Sequence, residues 1–353
     1  MPCTPPKARL LLKEGKAKAK RDKVGLFYIE LTYEQDPNNQ MLAIGIDPGS
    51  KFEGFSVLGT ASTVTNLMVE APDHVKDAVQ TRQTMRRARR IRKRRRPQRT
   101  NNRLKRKKRI PPSTRSRWEA KARMVAQLLK TFPLTDVVVE DVAAVTRKGK
   151  GGKWNSSFSP VQVGKEHLYT LLREMGLQLH TREGWQTKQL RETYGLKKTR
   201  SKSKQSFDSH AVDAWVLAAS ITGAKEPTCR SLWYVVPATL HRRQLHRLQA
   251  ANGGKRNPYG GTRSLGLKRG TLIMHKKYGL CTVGGFDRRR GTVSLHHYRT
   301  NKRLTQGAKP EACQTLTWAA WRSWFVKEPV KQSGKGKTST PTPSKERLLP
   351  PHT

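Results

Sequence analysis

From Ala78 to Trp118 the chain contains no acidic residue, and its densest part reads Arg86-Arg87-Ala88-Arg89-Arg90-Ile91-Arg92-Lys93-Arg94-Arg95-Arg96 before Pro97. Arginine and lysine are good helix formers, and nothing upstream of the proline breaks a helix. The segment therefore predicts one helix over 75–96, about 30 Å long at 1.5 Å per residue. Basic side chains run all the way round it, so it has almost no apolar stripe to offer a core. Its like charges repel at i,i+4, and such a helix holds only between phosphates. A disordered basic tail is the alternative. Strands that must pair flank the segment on both sides, which argues against a tail.

The whole chain carries the same excess: 353 residues with 72 Lys+Arg against 25 Asp+Glu give a net charge of +47. That length allows one moderately large domain with appendages, or two to three small ones. A polyanion must normally neutralise so much charge, and phosphates matched to Lys and Arg do so with release of counterions. On charge alone, a ribosomal or packaging protein fits as well as any other nucleic-acid binder. No apolar run reaches the roughly 18–20 residues that span a bilayer, and the N-terminus lacks the apolar core of a signal peptide. No membrane partner is expected. Cys3, Cys229, Cys281 and Cys313 form no Cys-x-x-Cys pair, so they support neither a zinc site nor a disulfide framework, and reduced thiols in a cytosol are expected.

Residues 1–40 read as a small basic head with a strand-like stretch from Leu26 to Leu31. Met41–Asp47, Phe52–Leu58 and Thr63–Val69 read as three short strands around the turn Asp47-Pro48-Gly49-Ser50, an antiparallel meander opening an α/β domain. Trp118, Ala122, Val125, Leu129 and Phe132 mark an amphipathic helix. Thr135–Val142 reads as a buried strand ending in carboxylates. A Gly/Lys linker over 147–153 leads to a helix over 161–175, then a strand over Leu177–Thr181. Residues 185–206 are polar and basic. Phe207–Thr222 reads as a strong helix capped by Asp208 or Ser209. Beyond it, Gly-rich turns separate strands in Gly270–His275, Gly279–Phe286 and Gly291–His297, which suggests a small β-barrel-like module. Residues 331–353, rich in Lys, Ser, Thr and Pro, read as a disordered tail.

Four residues stand out as chemistry: Asp47 at the end of the first strand, Glu140 at the end of a later one, and His210 with Asp213 on one helix. In an RNase H-like fold the first and fourth strands are central neighbours, so their carboxylates meet at one edge, facing the helix after the fifth strand. The i,i+3 spacing puts His210 and Asp213 on one helical face. Three converging carboxylates repel one another unless cations join them, and hard oxygen ligands select Mg2+ or Mn2+. Two such ions about 4 Å apart activate a water and stabilise the leaving oxygen of a phosphodiester. Asp47 is expected to be the shared ligand and Glu140 and Asp213 the flanking ones, with His210 counted among the metal residues and orienting or deprotonating the attacking water. Taken singly, each feature has a plain structural reading: a turn, a solvated strand end, a core histidine.

Their combination carries a resemblance. Ile44-Gly45-Ile46-Asp47-Pro48-Gly49-Ser50-Lys51 with Gly54 resembles the first RuvC motif, Val138-Val139-Glu140 the second, and His210-Ala211-Val212-Asp213-Ala214 the third. The Arg-rich helix, continuing into Arg99-Thr100-Asn101-Asn102-Arg103, looks like the bridge helix of IscB and of type II CRISPR effectors. The head from Met1-Pro2 to Lys16-Ala17 resembles the PLMP domain of the IscB/IsrB group, although only the Met-Pro half of that tetrapeptide is present. IscB inserts an HNH nuclease between the second and third motifs. Here about 70 residues separate Glu140 from His210, with His167 and His180 but no ββα pattern, so the resemblance is to IsrB. TnpB relatives place RuvC late in the chain and carry Cys-x-x-Cys pairs, both absent here.

The resemblance implies an α/β, RNase H-like (RuvC) domain split by a bridge helix. Its parts would be a PLMP-like head at 1–40, RuvC part I at 41–74, bridge helix and basic linker at 75–110, and RuvC parts II and III at 111–225. A β-rich module at 226–330 would contact the target-adjacent motif. It implies a bacterial, cytoplasmic nickase of the strand displaced by a long structured guide RNA, monomeric in a ribonucleoprotein, acting on double-stranded DNA with a short flanking motif. Two Mg2+ ions are implied, with Mn2+ as a substitute. Phosphate contacts fall to Arg82, Arg86, Arg87, Arg89, Arg90, Arg92, Lys93, Arg94, Arg95, Arg96, Arg99 and Arg103. Arg263, Lys268, Arg269, Lys276 and Lys277 of the module would approach duplex DNA. A structure-selective RuvC-type resolvase of branched DNA and a non-catalytic basic RNA-binding protein are the competing expectations.

Overall fold

The computed structural model describes residues 3–21, 27–34, 41–93, 110–142, 160–201, 204–237, 263–318 and 321–327. In the head, helix α1 (Pro5–Lys13) packs beside an antiparallel hairpin of β1 (Ala17–Arg21) and β2 (Phe27–Leu31), registered Ala17 to Leu31.

The main body is built on the meander β3 (Ala43–Asp47), β4 (Phe52–Leu58) and β5 (Thr63–Glu70), antiparallel throughout. Helix α2 (His74–Lys93) follows, then α3 (Pro112–Leu129), on which α2 packs. The expected basic helix begins as its sequence implies, and its residues 94–96 lie outside the described residues. Strand β6 (Asp136–Asp141), helix α4 (Pro160–Glu174), β7 (Gln178–Glu183), α5 (Gly184–Thr193) and α6 (Val212–Thr222) come next, and β8 (Leu232–Pro237) closes this run.

The meander's first strand sits beside the fourth, as the RNase H-like reading requires: β3 pairs in parallel with β6, Ile46 facing Val139, and β6 with β7. Strand β8 adds in parallel to β5 through Leu67, Met68 and Val69.

Beyond β8 lie a two-residue hairpin, β9 (Arg263–Ser264) and β10 (Leu267–Lys268), and the strands β11 (Thr271–His275), β12 (Gly279–Asp287), β13 (Thr292–His297), β14 (Arg303–Ala308), β15 (Cys313–Trp318) and β16 (Trp321–Val326). The last of these returns to the main body and pairs antiparallel with β8, giving a seven-stranded mixed sheet ordered β16-β8-β5-β4-β3-β6-β7. Residues 232–237 and 321–326 thus belong to this sheet rather than to the β-rich module.

Strand alternation sorts the two faces of the sheet. Ile44, Ile46, Phe55, Val57, Val137 and Val139 turn to one side and bury against α3 and α4 through Trp118, Val125, Leu168 and Leu172. Ala43 and Leu58 turn to the other side, under α6 and its Val212, Trp215 and Ala219. These two layers hold the larger share of the buried apolar side chains, and burial of apolar surface is the main stabilising contribution to a fold.

The remaining strands form a five-stranded antiparallel sheet, β14-β13-β12-β11-β15, around Ile273, Cys281, Val283, Val293 and Leu295. Its outer strands do not pair with each other, so the expected barrel-like module is an open sheet. Register shifts at Leu272/Ile273, Val283/Phe286 and Val293/Leu295 mark irregularities in its paired strands, of the kind that bends a sheet. Among the described residues no helix is long and apolar enough to cross a membrane.

Candidate active site at the ends of the parallel strands

Two glycines decide how close α6 comes to the sheet. A Cβ on Gly45 would stand 1.8 Å from the Ala214 carbonyl oxygen, and one on Gly54 would stand 1.9 Å from that of His210. Only glycine permits that approach, and it seats the first turn of α6 directly over the ends of β3 and β4. The chain enters α6 through a widened π turn, Phe207–Ala211. Ser206 is the N-cap residue and makes no side-chain capping bond, so neither Asp208 nor Ser209 caps the helix as expected. Ser209 is engaged elsewhere: its hydroxyl bonds Ser206 Oγ at 2.8 Å and Thr199 Oγ1 at 2.7 Å. The Thr199 amide donates to the Asp208 carbonyl at 2.9 Å. These bonds staple the segment after α5 onto the π turn.

That staple delivers Lys198. Its ammonium donates to Asp47 Oδ2 at 3.1 Å and to Asp213 Oδ2, while Arg191 of α5 donates to Asp213 Oδ1 at 2.5 Å. Asp47 lies on the α6 side of β3, two residues past Gly45, and Glu140 lies on the same side of β6 by strand alternation. Glu140 is pushed up to about 8, first by burial, then by the charge of Asp47 and a hydrogen bond with it, then by the charge of Asp213, with Lys198 opposing. Three of the expected residues, Asp47, Glu140 and Asp213, are therefore near enough to feel one another. His210 is buried, and its ring meets Phe52 edge-on at 5.0 Å between centroids. It belongs to the π turn and Asp213 to α6, so regular α-helical spacing does not relate the two.

Sequence reasoning missed Lys198 and Arg191, which sit in a polar stretch where one cation looks like another. It also missed two pairs on the opposite face. Lys121 of α3 donates to Glu53 Oε1 at 2.6 Å, both side chains being almost wholly buried. Burial pushes the Glu53 carboxyl up against the pull of Lys121. Lys165 of α4 pairs with Asp141, next to Glu140, and Tyr169 donates to the same oxygen at 3.4 Å. A signal existed for both: an acid in a buried-strand pattern demands a cation on whichever helix covers it.

Among the described residues no group of three or more His, Cys, Asp or Glu side chains is gathered as a metal shell. The donor set still fits a hard divalent cation. Three carboxylates converge, one is driven to hold a proton, and an ammonium stands where their charge calls for a cation.

Of the expected phosphate contacts, Arg82 and Arg87 are exposed on α2, and Arg86, Arg89, Arg90, Arg92 and Lys93 share its backbone helix. Arg94, Arg95, Arg96, Arg99 and Arg103 lie outside the described residues. In the module, Lys276 and Lys277 are exposed. Arg263 and Lys268 are exposed as well, and four of the five make local contacts: Arg263 with the Gly266 carbonyl at 3.0 Å, Arg269 with Ser264 Oγ at 3.4 Å, Lys268 over the Trp318 ring at 3.5 Å and Lys277 over the Tyr278 ring at 5.6 Å.

An α/β body with a mixed sheet thus presents a cation-bridged carboxylate cluster beneath its last helix. Residues 1–158 match the model of a family described as "RRXRR protein", and Arg86-Arg87-Ala88-Arg89-Arg90 spells that pattern. No curated protein matches the chain. Among solved structures, Thermus thermophilus RuvC in complex with Holliday junction substrate aligns at 17% identity and a TM-score of 0.29, over 51% of this chain and 90% of that one. A second Thermus thermophilus RuvC structure aligns at 16% identity and a TM-score of 0.29, over 53% of this chain and 99% of that one.

Proposed function

We propose that the chain is an RNase H-like, divalent-metal-dependent endonuclease that nicks one DNA strand, the displaced strand at a site selected by a bound RNA. The observation that carries the nuclease reading is the meeting of Asp47, Glu140 and Asp213 around one cation, at the ends of two parallel strands and under a helix seated by Gly45 and Gly54. Asp47, Glu140 and Asp213 would hold the ions, Mg2+ with Mn2+ as substitute. Such ions, when bound, supply an activated water and neutralise the leaving oxygen.

The chain's own groups do the rest. Arg191 orients Asp213, and Lys165 with Tyr169 holds Asp141 and so the end of β6 that bears Glu140. Phe52 fixes the His210 ring, the group proposed to take the proton of the attacking water. Guidance by RNA is supported by the RRXRR match, by the acid-free basic helix α2 and by a charge of +47 that calls for a large polyanion.

The test has two arms. Protein purified without nuclease treatment should carry a specific RNA of a hundred nucleotides or more, and Asp47→Ala should abolish Mg2+-dependent nicking while leaving that RNA in place. Nicking that survives Asp47→Ala removes the site. Cutting of branched DNA by protein free of RNA replaces guidance with junction resolution.

A further inference from the structure

We propose that Trp185 is a stacking platform for an unpaired base of the DNA strand that enters this site, an inference that rests on the nuclease reading above. Among the described residues Trp185 is the most exposed large apolar side chain, at 62%. An indole left that far out forgoes the stabilisation of burial. Yet the ring does not swing freely. Its Nε1–H donates to the Glu183 carboxylate, and Glu183 is itself set by a capping box with Gln186, whose side chain accepts from the Glu183 amide at 2.8 Å.

The site fixes where this ring stands. Glu183 is registered with Asp141 across β6 and β7, one residue beyond Glu140. Between Glu183 and the tryptophan comes Gly184, where a Cβ would lie 3.3 Å from Glu140 Oε1. The chain thus passes hard against the carboxylate with no side chain, and the next residue it presents is a fixed, solvent-facing indole. Lys188, exposed at i+3 on the same side of α5, pairs only loosely with Glu192 at 3.8 Å, and that exposed pair can be exchanged for the adjoining phosphate.

Aromatic faces accept any base, because every base has a π-face, so they hold a strand whose sequence the protein does not read. In a duplex those faces are already stacked on one another, and only an unpaired strand can use the indole. The ligand class is therefore single-stranded DNA, of any base identity, beside the scissile phosphate.

The experiment uses full-length protein carrying its co-purified RNA. DNA with 5-iododeoxyuridine stepped along the cleaved strand is photo-crosslinked to the Asp47→Ala protein, and adducts are mapped by mass spectrometry. An adduct on Trp185 at one or two adjacent positions is expected, lost in the Asp47→Ala, Trp185→Ala double variant. In nicking assays Trp185→Ala should raise KM by about tenfold with kcat nearly held, and Trp185→Phe, which keeps a π-face, should recover most of it. The exposed ring predicts an unchanged Tm in both.

Adducts elsewhere but none on Trp185, adducts only with the RNA, or an unchanged KM each overturn the proposal. Nicking that persists in Asp47→Ala would instead remove the site built on Asp47, Glu140 and Asp213, on which this inference rests, so the two failures are told apart.

Discussion

Glu140 is where the electrostatics of the candidate site can be tested without substrate. Its ordinary value of 4.5 is pushed up to about 8 by burial and by Asp47 and Asp213, so the folded protein holds a proton that the unfolded chain releases. The sign follows: this contribution to stability is full below about pH 4.5 and is lost as pH rises through 8. Glu140→Gln keeps the shape and removes the titration. The difference in Tm between wild-type and Glu140→Gln, both metal-free, should therefore fall steadily from pH 5 to pH 8.5. A divalent ion competes with that same proton, so Mg2+ should raise the wild-type Tm more at pH 8 than at pH 6. A difference that stays flat with pH would mean that Glu140 is not held against the two aspartates. Asp47, Glu140 and Asp213 were legible as carboxylates placed where strands and a helix end. Lys198 was not, because a sequence records a charge but not its partner, and Lys197, Arg200, Lys202 and Lys204 compete with it within a few residues.

Among the elements, legibility followed apolar period. Strands β3 to β6 announced themselves by β-branched and apolar runs that the sheet buries on both faces. Helix α5 did not, since its ten residues, GWQTKQLRET, bury only Thr187 and offer no stripe. Strand β8 has the composition of a strand, LWYVVP, yet nothing local says that it joins β5, more than 160 residues earlier. The π turn was hidden for a related reason, because it is set by the contact of α6 with β4 and not by its own residues. That contact gives the element-scale prediction. Gly54→Ala places a methyl where the His210 carbonyl oxygen already stands, at 1.9 Å, and backbone on both sides must move. Overpacking of this kind costs about 1–3 kcal/mol, sometimes more. The expected result is a lowered Tm by calorimetry with nicking lost and bound RNA retained, since the displaced turn carries His210 and leads into Asp213. Wild-type nicking in Gly54→Ala would show that the tight seat of α6 is not needed for the chemistry.

At the scale of the whole molecule, five of the 25 acids are held against cations or a histidine inside the body. Asp47 and Asp213 hold Lys198, Glu53 holds Lys121, Asp141 holds Lys165, and Asp136 meets His180 at 2.8 Å. With 25 acids in all and these committed inward, the excess of +47 has no internal partner, and phosphate is the counter-charge that suits it. The segment from Ala78 to Trp118, without one acid, is where that excess is most concentrated. Replacing Arg86, Arg87, Arg89 and Arg90 together with glutamine tests whether α2 spends its charge on nucleic acid. Each duplex phosphate contact contributes about 0.9 to the slope of log affinity against log salt. If all four arginines reach phosphates, guided DNA binding measured from about 50 to 200 mM salt should lose roughly three to four from that slope, and the deficit in affinity should shrink as salt rises. Glutamine is nearly as good a helix former as arginine, and relieving i,i+4 repulsion favours the helix, so Tm should not fall. An unchanged affinity and slope would leave the most basic element of the chain without a nucleic-acid role, and the excess charge would have to be neutralised elsewhere on the surface.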